Sequence, residues 1–94
     1  MNLRKAARGR PCMVRITMVC NGNPETTVLA HIRRGGVAGV GQKPNDLIGV
    51  WACSDCHDEI DRRKRSVPGY ELDGYILEAL CRTLDAVVRE GLVK

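Results

Sequence analysis

Five cysteines and two histidines carry most of the chemistry this sequence can offer. Cys53 and Cys56 are separated by two residues, so one tight turn can bring both sulfurs to a single ion. Cys12 and Cys20, separated by seven residues, make a second and wider pair. Four thiolates in tetrahedral array at about 2.3 Å are preferred surroundings for zinc. A redox C-x-x-C, a disulfide, or buried cysteines with no shared partner are the competing explanations. The redox explanation leaves Cys12 and Cys20 without a role. Cys81 stands apart, next to an expected core leucine, and reads as a small side chain beside the core.

The histidines lie in suggestive places. His57 directly follows Cys56, so a metal-bound knuckle would fix its backbone at the start of a helix. Asp61 lies four residues on, on the same helical face. Such a pair can offer one nitrogen and one oxygen to a divalent cation, or simply form an ordinary surface contact. His31 falls near the end of an expected strand. A neutral imidazole can accept a proton from water near neutral pH. A strand histidine taken alone is more often structural.

The elements that would position these groups can be read from pattern. A short basic helix is expected over residues 3–9, capped by Asn2 and ended by Gly9. An irregular segment carrying Cys12 and Cys20 follows, with turn chemistry at Asn21-Gly22-Asn23-Pro24. Strands are expected over 26–32 and 47–52, antiparallel to one another. Residues 33–45 between them hold four glycines and one proline and read as a loop. A helix capped by Ser54 should run through Arg62-Arg63-Lys64-Arg65, with acids early and bases late. Ser66-Val67-Pro68-Gly69 breaks it. The last helix is expected over about 73–90, with Ile76, Leu77, Leu80, Leu84, Val87 and Val88 as its apolar stripe.

With 94 residues, the chain has material for one small domain over 1–94. It holds one Trp, two Tyr and no Phe. So few large aromatic groups limit the hydrophobic driving force and favour a metal staple. No signal-like or membrane-spanning apolar stretch is evident, so a cytoplasmic protein with no membrane partner is expected. In that reducing compartment clustered cysteines point to metal. Residues 1–34 hold seven Lys or Arg against one acid, whereas residues 35–94 hold eight against ten. A basic N-terminal part suits a polyanion such as nucleic acid, though a merely solubilising surface has the same charge.

A strand histidine, a loop with Asn or Asp, and then C-x-x-C-H opening a helix resemble the zinc-containing HNH endonucleases, with their ββα-metal core. The resemblance runs from Cys12 to Arg63. At a closer level, L-R-K-A-A-R-G-R at 3–10, C-N-G-N-P-E-T at 20–26, L-A-H-I-R at 29–33 and A-C-S-D-C-H-D-E-I-D-R-R at 52–63 resemble the small prophage-encoded YbcO-type nuclease family, thought to be related to the RecA-dependent phage nuclease Ref.

That resemblance implies a small α+β fold: a zinc-stabilised HNH-like core, a short N-terminal helix and a long C-terminal packing helix. It implies that His31 is the general base and that His57 and Asp61 hold a catalytic divalent cation (Mg, Mn, Ni or Zn). It assigns Cys12, Cys20, Cys53 and Cys56 to structural zinc. The middle signature position falls at Asn45 or Asp46, and Asp46, directly before the second strand, is favoured.

Two functions from different classes follow. One is a metal-dependent DNA endonuclease in phage or prophage DNA metabolism, with Arg33, Arg34, Arg62, Arg63, Lys64 and Arg65 holding the phosphate backbone. The other is a non-catalytic zinc module that binds DNA or a recombinase. DNA is the expected partner, and the Ref relation adds a RecA-type recombinase filament. No recognition helix and few stacking residues are present to read bases.

Overall fold

The computed structural model describes residues 2–34, 36 and 44–93. The elements follow in the order α1 (Leu3–Ala6), a 3-10 turn (Pro24–Thr26), β1 (Val28–His31), β2 (Gly49–Ala52), α2 (Ser54–Ile60) and α3 (Gly69–Arg89). The result is a small α+β fold with a two-stranded sheet. Most of the glycine-rich loop expected over 33–45 lies outside the described residues.

Local chemistry explains where each element starts and stops. Asn2 caps α1 by accepting from the Lys5 N–H, and the chain leaves through Gly9 at φ 76°, but only four residues are regular helix. Asn23 caps the 3-10 turn, which takes up Thr26 and delays β1 to Val28. The strands pair antiparallel as expected, with His31 opposite Gly49, Ala30 opposite Val50, and Leu29 opposite Trp51. A Cβ at Gly49 would lie 2.8 Å from Leu29 Cδ1 and 3.2 Å from the Ala30 carbonyl. That close approach requires glycine.

β2 is buried along its whole length. Val50 and Ala52 enter a core with Val14, Ile16, Ala30, Leu72, Ile76 and Ala79. Trp51 points to the other face, against Leu3, Ala7 and Val87. The Arg10 guanidinium lies 5.0 Å from the Trp51 ring centroid, a cation–π contact at the rim of this second cluster. Alternation along β1 sends Ala30 into the core and leaves Leu29 and His31 on the opposite face.

The four cysteines converge in the main core. The sulfurs of Cys12, Cys20, Cys53 and Cys56 all lie within 4.8 Å of one another. Those of Cys20 and Cys53 are 3.8 Å apart. Four ligands at zinc's usual thiolate distance are about 3.8 Å from one another in a tetrahedron, so the donor set fits a structural metal such as zinc. None of the four is in a disulfide. The Cys12 thiol is lowered to about 4 by a hydrogen bond from Cys56, which is itself pushed up by that bond; burial raises Cys20. Metal uptake must displace the protons that Cys20 and Cys56 hold, so acid opposes it.

The cysteine cluster sets the start of α2. Its N-cap is Cys53, whose sulfur accepts from the Cys56 N–H at 3.5 Å, and not the expected Ser54. The helix also ends earlier than expected, at Ile60 and not within Arg62–Arg65. Arg62 adopts φ 59°, and the Arg63 N–H donates back to the Asp58 carbonyl at 2.9 Å. Fully buried Glu59 holds the return: its carboxylate accepts from the Ser66 N–H at 3.0 Å and the Val67 N–H at 3.2 Å. Basic composition suggests helix here, but the buried clamp folds the segment back.

α3 begins at Gly69, four residues before the expected start, with Gly74 inside it. Its buried face is Leu72, Ile76, Ala79, Thr83 and Val87. Leu77 at 64%, Leu84 at 40% and Val88 at 65% relative exposure lie outside it, so the expected stripe is displaced around the helix. Thr83 enters the core because its hydroxyl accepts the Trp51 N–H, at 3.2 Å. Cys81, expected beside the core, is exposed.

Two stability outcomes follow from this packing. The purified chain should carry about one zinc per molecule, and a strong chelator or acidification from pH 7 to 5 should release it and lower the melting temperature; Cys53→Ser should prevent folding. Glu59→Ala strands two backbone donors and should cost about 2–3 kcal/mol, or on the order of 10 °C in thermal melting. Glu59→Gln, which keeps an acceptor, should cost less.

Candidate functional site

β1 delivers His31 and α2 delivers His57 and Asp61 to one cleft of about 430 Å³, also lined by Arg4, Arg8, Arg33 and Arg63. β1 reaches the cleft because its outward face carries Leu29 and His31. α2 reaches it because the cysteine cluster fixes its first turn, one residue before His57. A second cleft adjoins the first, sharing His31, Arg33, Asp61 and Arg63 and adding Arg34 and Arg62.

Within the site, His31 Nε2 is 2.8 Å from Asp46 Oδ1. The Asp46 carboxyl is held below its usual range, first by its hydrogen bond with His31 and then by the Arg4 guanidinium. Arg4 Nε reaches the same Oδ1 at 3.4 Å. His57 Nε2 is 3.0 Å from Asp61 Oδ2. The Arg63 guanidinium lies 3.7 Å from Asp61 and 3.6 Å from Asp58.

Asn45 and Asp46 separate cleanly. The Asn45 side chain accepts the Leu47 N–H at 2.9 Å and its carbonyl accepts the Ile48 N–H at 2.8 Å, shaping the turn into β2. Asp46 alone touches His31. Among the described residues, the four cysteines are the only group of three or more His, Cys, Asp or Glu placed to hold a metal. His57 and Asp61 form a pair that no third His, Cys, Asp or Glu among the described residues completes.

The expected backbone-binding residues divide. Arg33 and Arg63 line both clefts and Arg34 and Arg62 the second. Arg34 also pairs with Asp73 on α3, and Arg62 donates to the Val67 carbonyl at 3.0 Å. Lys64, 3.9 Å from Asp55, and Arg65 line neither cleft, because the early end of α2 turns them away. Arg4 and Arg8, absent from the expected set, line the first cleft. Their spacing of four on a short helix was the available signal, since it puts both on one face.

Comparison with known proteins identifies the family. The family model described as "Putative nuclease YbcO" matches residues 1–92. Relatives of that name from Escherichia coli strain K12 and from Enterobacteria phage 82 are each 57% identical over 93 residues, covering 99% of this chain and 97% of the relative. A solved structure described as a putative bacteriophage protein from Escherichia coli K-12 MG1655 superposes with a TM-score of 0.82 at 52% identity, covering 96% of this chain and 100% of that one. Similarity of this depth along nearly the whole length makes the chain a member of the YbcO family.

Proposed function

We propose that this chain is a metal-dependent DNA endonuclease whose zinc-stabilised core is of the ββα-metal, HNH-like kind. The observation that carries the reading is the convergence of His31, His57 and Asp61 on one cleft walled by four arginines. Membership of a family named for nuclease activity supports it.

The contacts support a role for each residue. With the His31 proton on Nε2, the Asp46 carboxylate 2.8 Å away accepts it and the lone pair lies on Nδ1. A water placed at Nδ1 gives up a proton as its oxygen bonds to phosphorus. The opposite P–O ester bond then breaks, and the leaving oxygen takes a proton from solvent. His57 Nε2 and Asp61 Oδ2, 3.0 Å apart, match neighbouring ligands of an octahedral ion bound at about 2.1 Å. A divalent cation there (Mg²⁺, Mn²⁺, Ni²⁺ or Zn²⁺) would supply positive charge for the phosphate and the leaving oxygen. Two protein ligands make a weak site, completed by water and phosphate oxygens. Arg8, Arg33 and Arg63 hold the backbone, and among the described residues no Trp or Tyr lines either cleft to stack a base.

Nicking of supercoiled plasmid with Mg²⁺, Mn²⁺ or Ni²⁺, with and without RecA-type filaments, tests the reading. His31→Ala should lower cutting by about 10²–10⁴-fold with zinc content and melting unchanged, and His57→Ala should raise the cation concentration needed. Protein that binds DNA yet never cuts under these conditions would establish a non-catalytic zinc module instead. Arg8→Ala and Arg63→Ala should weaken DNA binding about equally for all sequences, each reducing the slope of log affinity against log salt by about 0.9 per lost phosphate contact.

A further inference from the structure

The N-terminal helix does more than supply charge to the cleft wall. Leu3 is buried against Trp51 and Val87, which anchors α1 beside the mouth of the cleft. The next residue, Arg4, projects to Asp46, 42 positions away in the chain, and meets the same carboxylate oxygen that His31 Nε2 contacts. Arg4 also lines the cleft itself. Its side chain is 57% exposed, so it contributes little to the core and leaves the anchoring to Leu3.

We infer that Arg4 is a positioning residue: through Asp46 Oδ1 it aims the carboxylate at His31 and sets how readily His31 takes up a proton. This inference rests on the assignment of His31 as base. Arg4 and His31 meet the same oxygen of the Asp46 carboxylate. A carboxylate beside an imidazole favours its protonated form, and a cation on the same carboxylate oxygen opposes that preference. Among the described residues, the other charged groups lining the two clefts that His31 shares are Arg8, Arg33, Arg34, Arg62 and Arg63, which also disfavour imidazolium, and Asp61, which favours it; His57 is the remaining titratable group. Arg63 lies beside Asp61 and Asp58, whereas Arg4 contacts the carboxylate that touches His31.

The sign of the effect can be worked out in advance. Removing the Arg4 charge favours imidazolium, so the titration of His31 moves to higher pH. The acid limb of cutting then moves to higher pH with it, because the base must be neutral. Removing the Asp46 charge does the reverse.

The test is the NMR titration of the His31 ring nitrogens in zinc-loaded wild type, Arg4→Gln, Arg4→Lys and Asp46→Asn. Arg4→Gln should raise the His31 midpoint by about half a pH unit, the scale of an exposed charge pair; Arg4→Lys should restore it, and Asp46→Asn should lower it. Arg8→Ala should raise KM for DNA while shifting the acid limb far less than Arg4→Gln does. An unchanged His31 midpoint in folded Arg4→Gln, or an equal shift in Arg4→Lys, would overturn the inference. The titration needs no DNA cleavage, so its outcome stands apart from whether the protein is a nuclease. Unchanged melting of Arg4→Gln would separate the effect from loss of fold.

Discussion

Four sulfurs drawn within 4.8 Å of one another are the constraint on which the rest of the molecule depends. Cys12 and Cys20 come from an irregular segment in which Arg15 and Met18 take left-handed φ angles of 57° and 67°. Cys53 and Cys56 come from the junction of β2 and α2. Tying the two together closes a loop of more than thirty residues and gives the irregular segment a reason to hold a single shape. Because Cys53 is also the helix cap, the same interaction sets the rotation and starting point of α2. His57 and Asp61 inherit their direction from it.

The site lies where three differently stabilised pieces meet. β1 is short and half exposed, but it is registered against a wholly buried β2, so His31 is carried on a rigid partner. α2 is pinned at one end by the cysteine cluster and at the other by buried Glu59, which receives the backbone of Ser66 and Val67. α1 has only one turn, too little to persist in isolation, and is held by Leu3 and Ala7 packing on Trp51. Each piece would be marginal alone. Together they place imidazole, carboxylate and guanidinium groups around one opening while consuming little core volume.

The electrostatics of the opening are similarly divided. Every carboxylate in contact with a histidine there also has an arginine nearby: Arg4 at Asp46 and Arg63 at Asp61. Each arginine offsets part of its carboxylate's charge, and the rim as a whole stays basic. The near absence of aromatic residues accords with recognition of phosphate and not of bases.

The cysteine quartet, the two strands and their antiparallel pairing, the C-x-x-C-H junction and the spacing of His57 and Asp61 were all legible in the sequence. They depend on short-range chemistry: ligand spacing, β-branched runs, and the helical repeat of 3.6 residues. The end of α2, the rotation of α3 and the reach of α1 were not. Each was decided by a contact between residues distant in the chain or hidden from local pattern: Glu59 folding the basic segment back, Thr83 bonding to Trp51 and turning Leu77 and Val88 outward, and Leu3 docking so that Arg4 meets Asp46. Composition ranks a residue as apolar or charged, but only packing determines which neighbour it faces, because burial energy depends on surface shared and not on order along the chain.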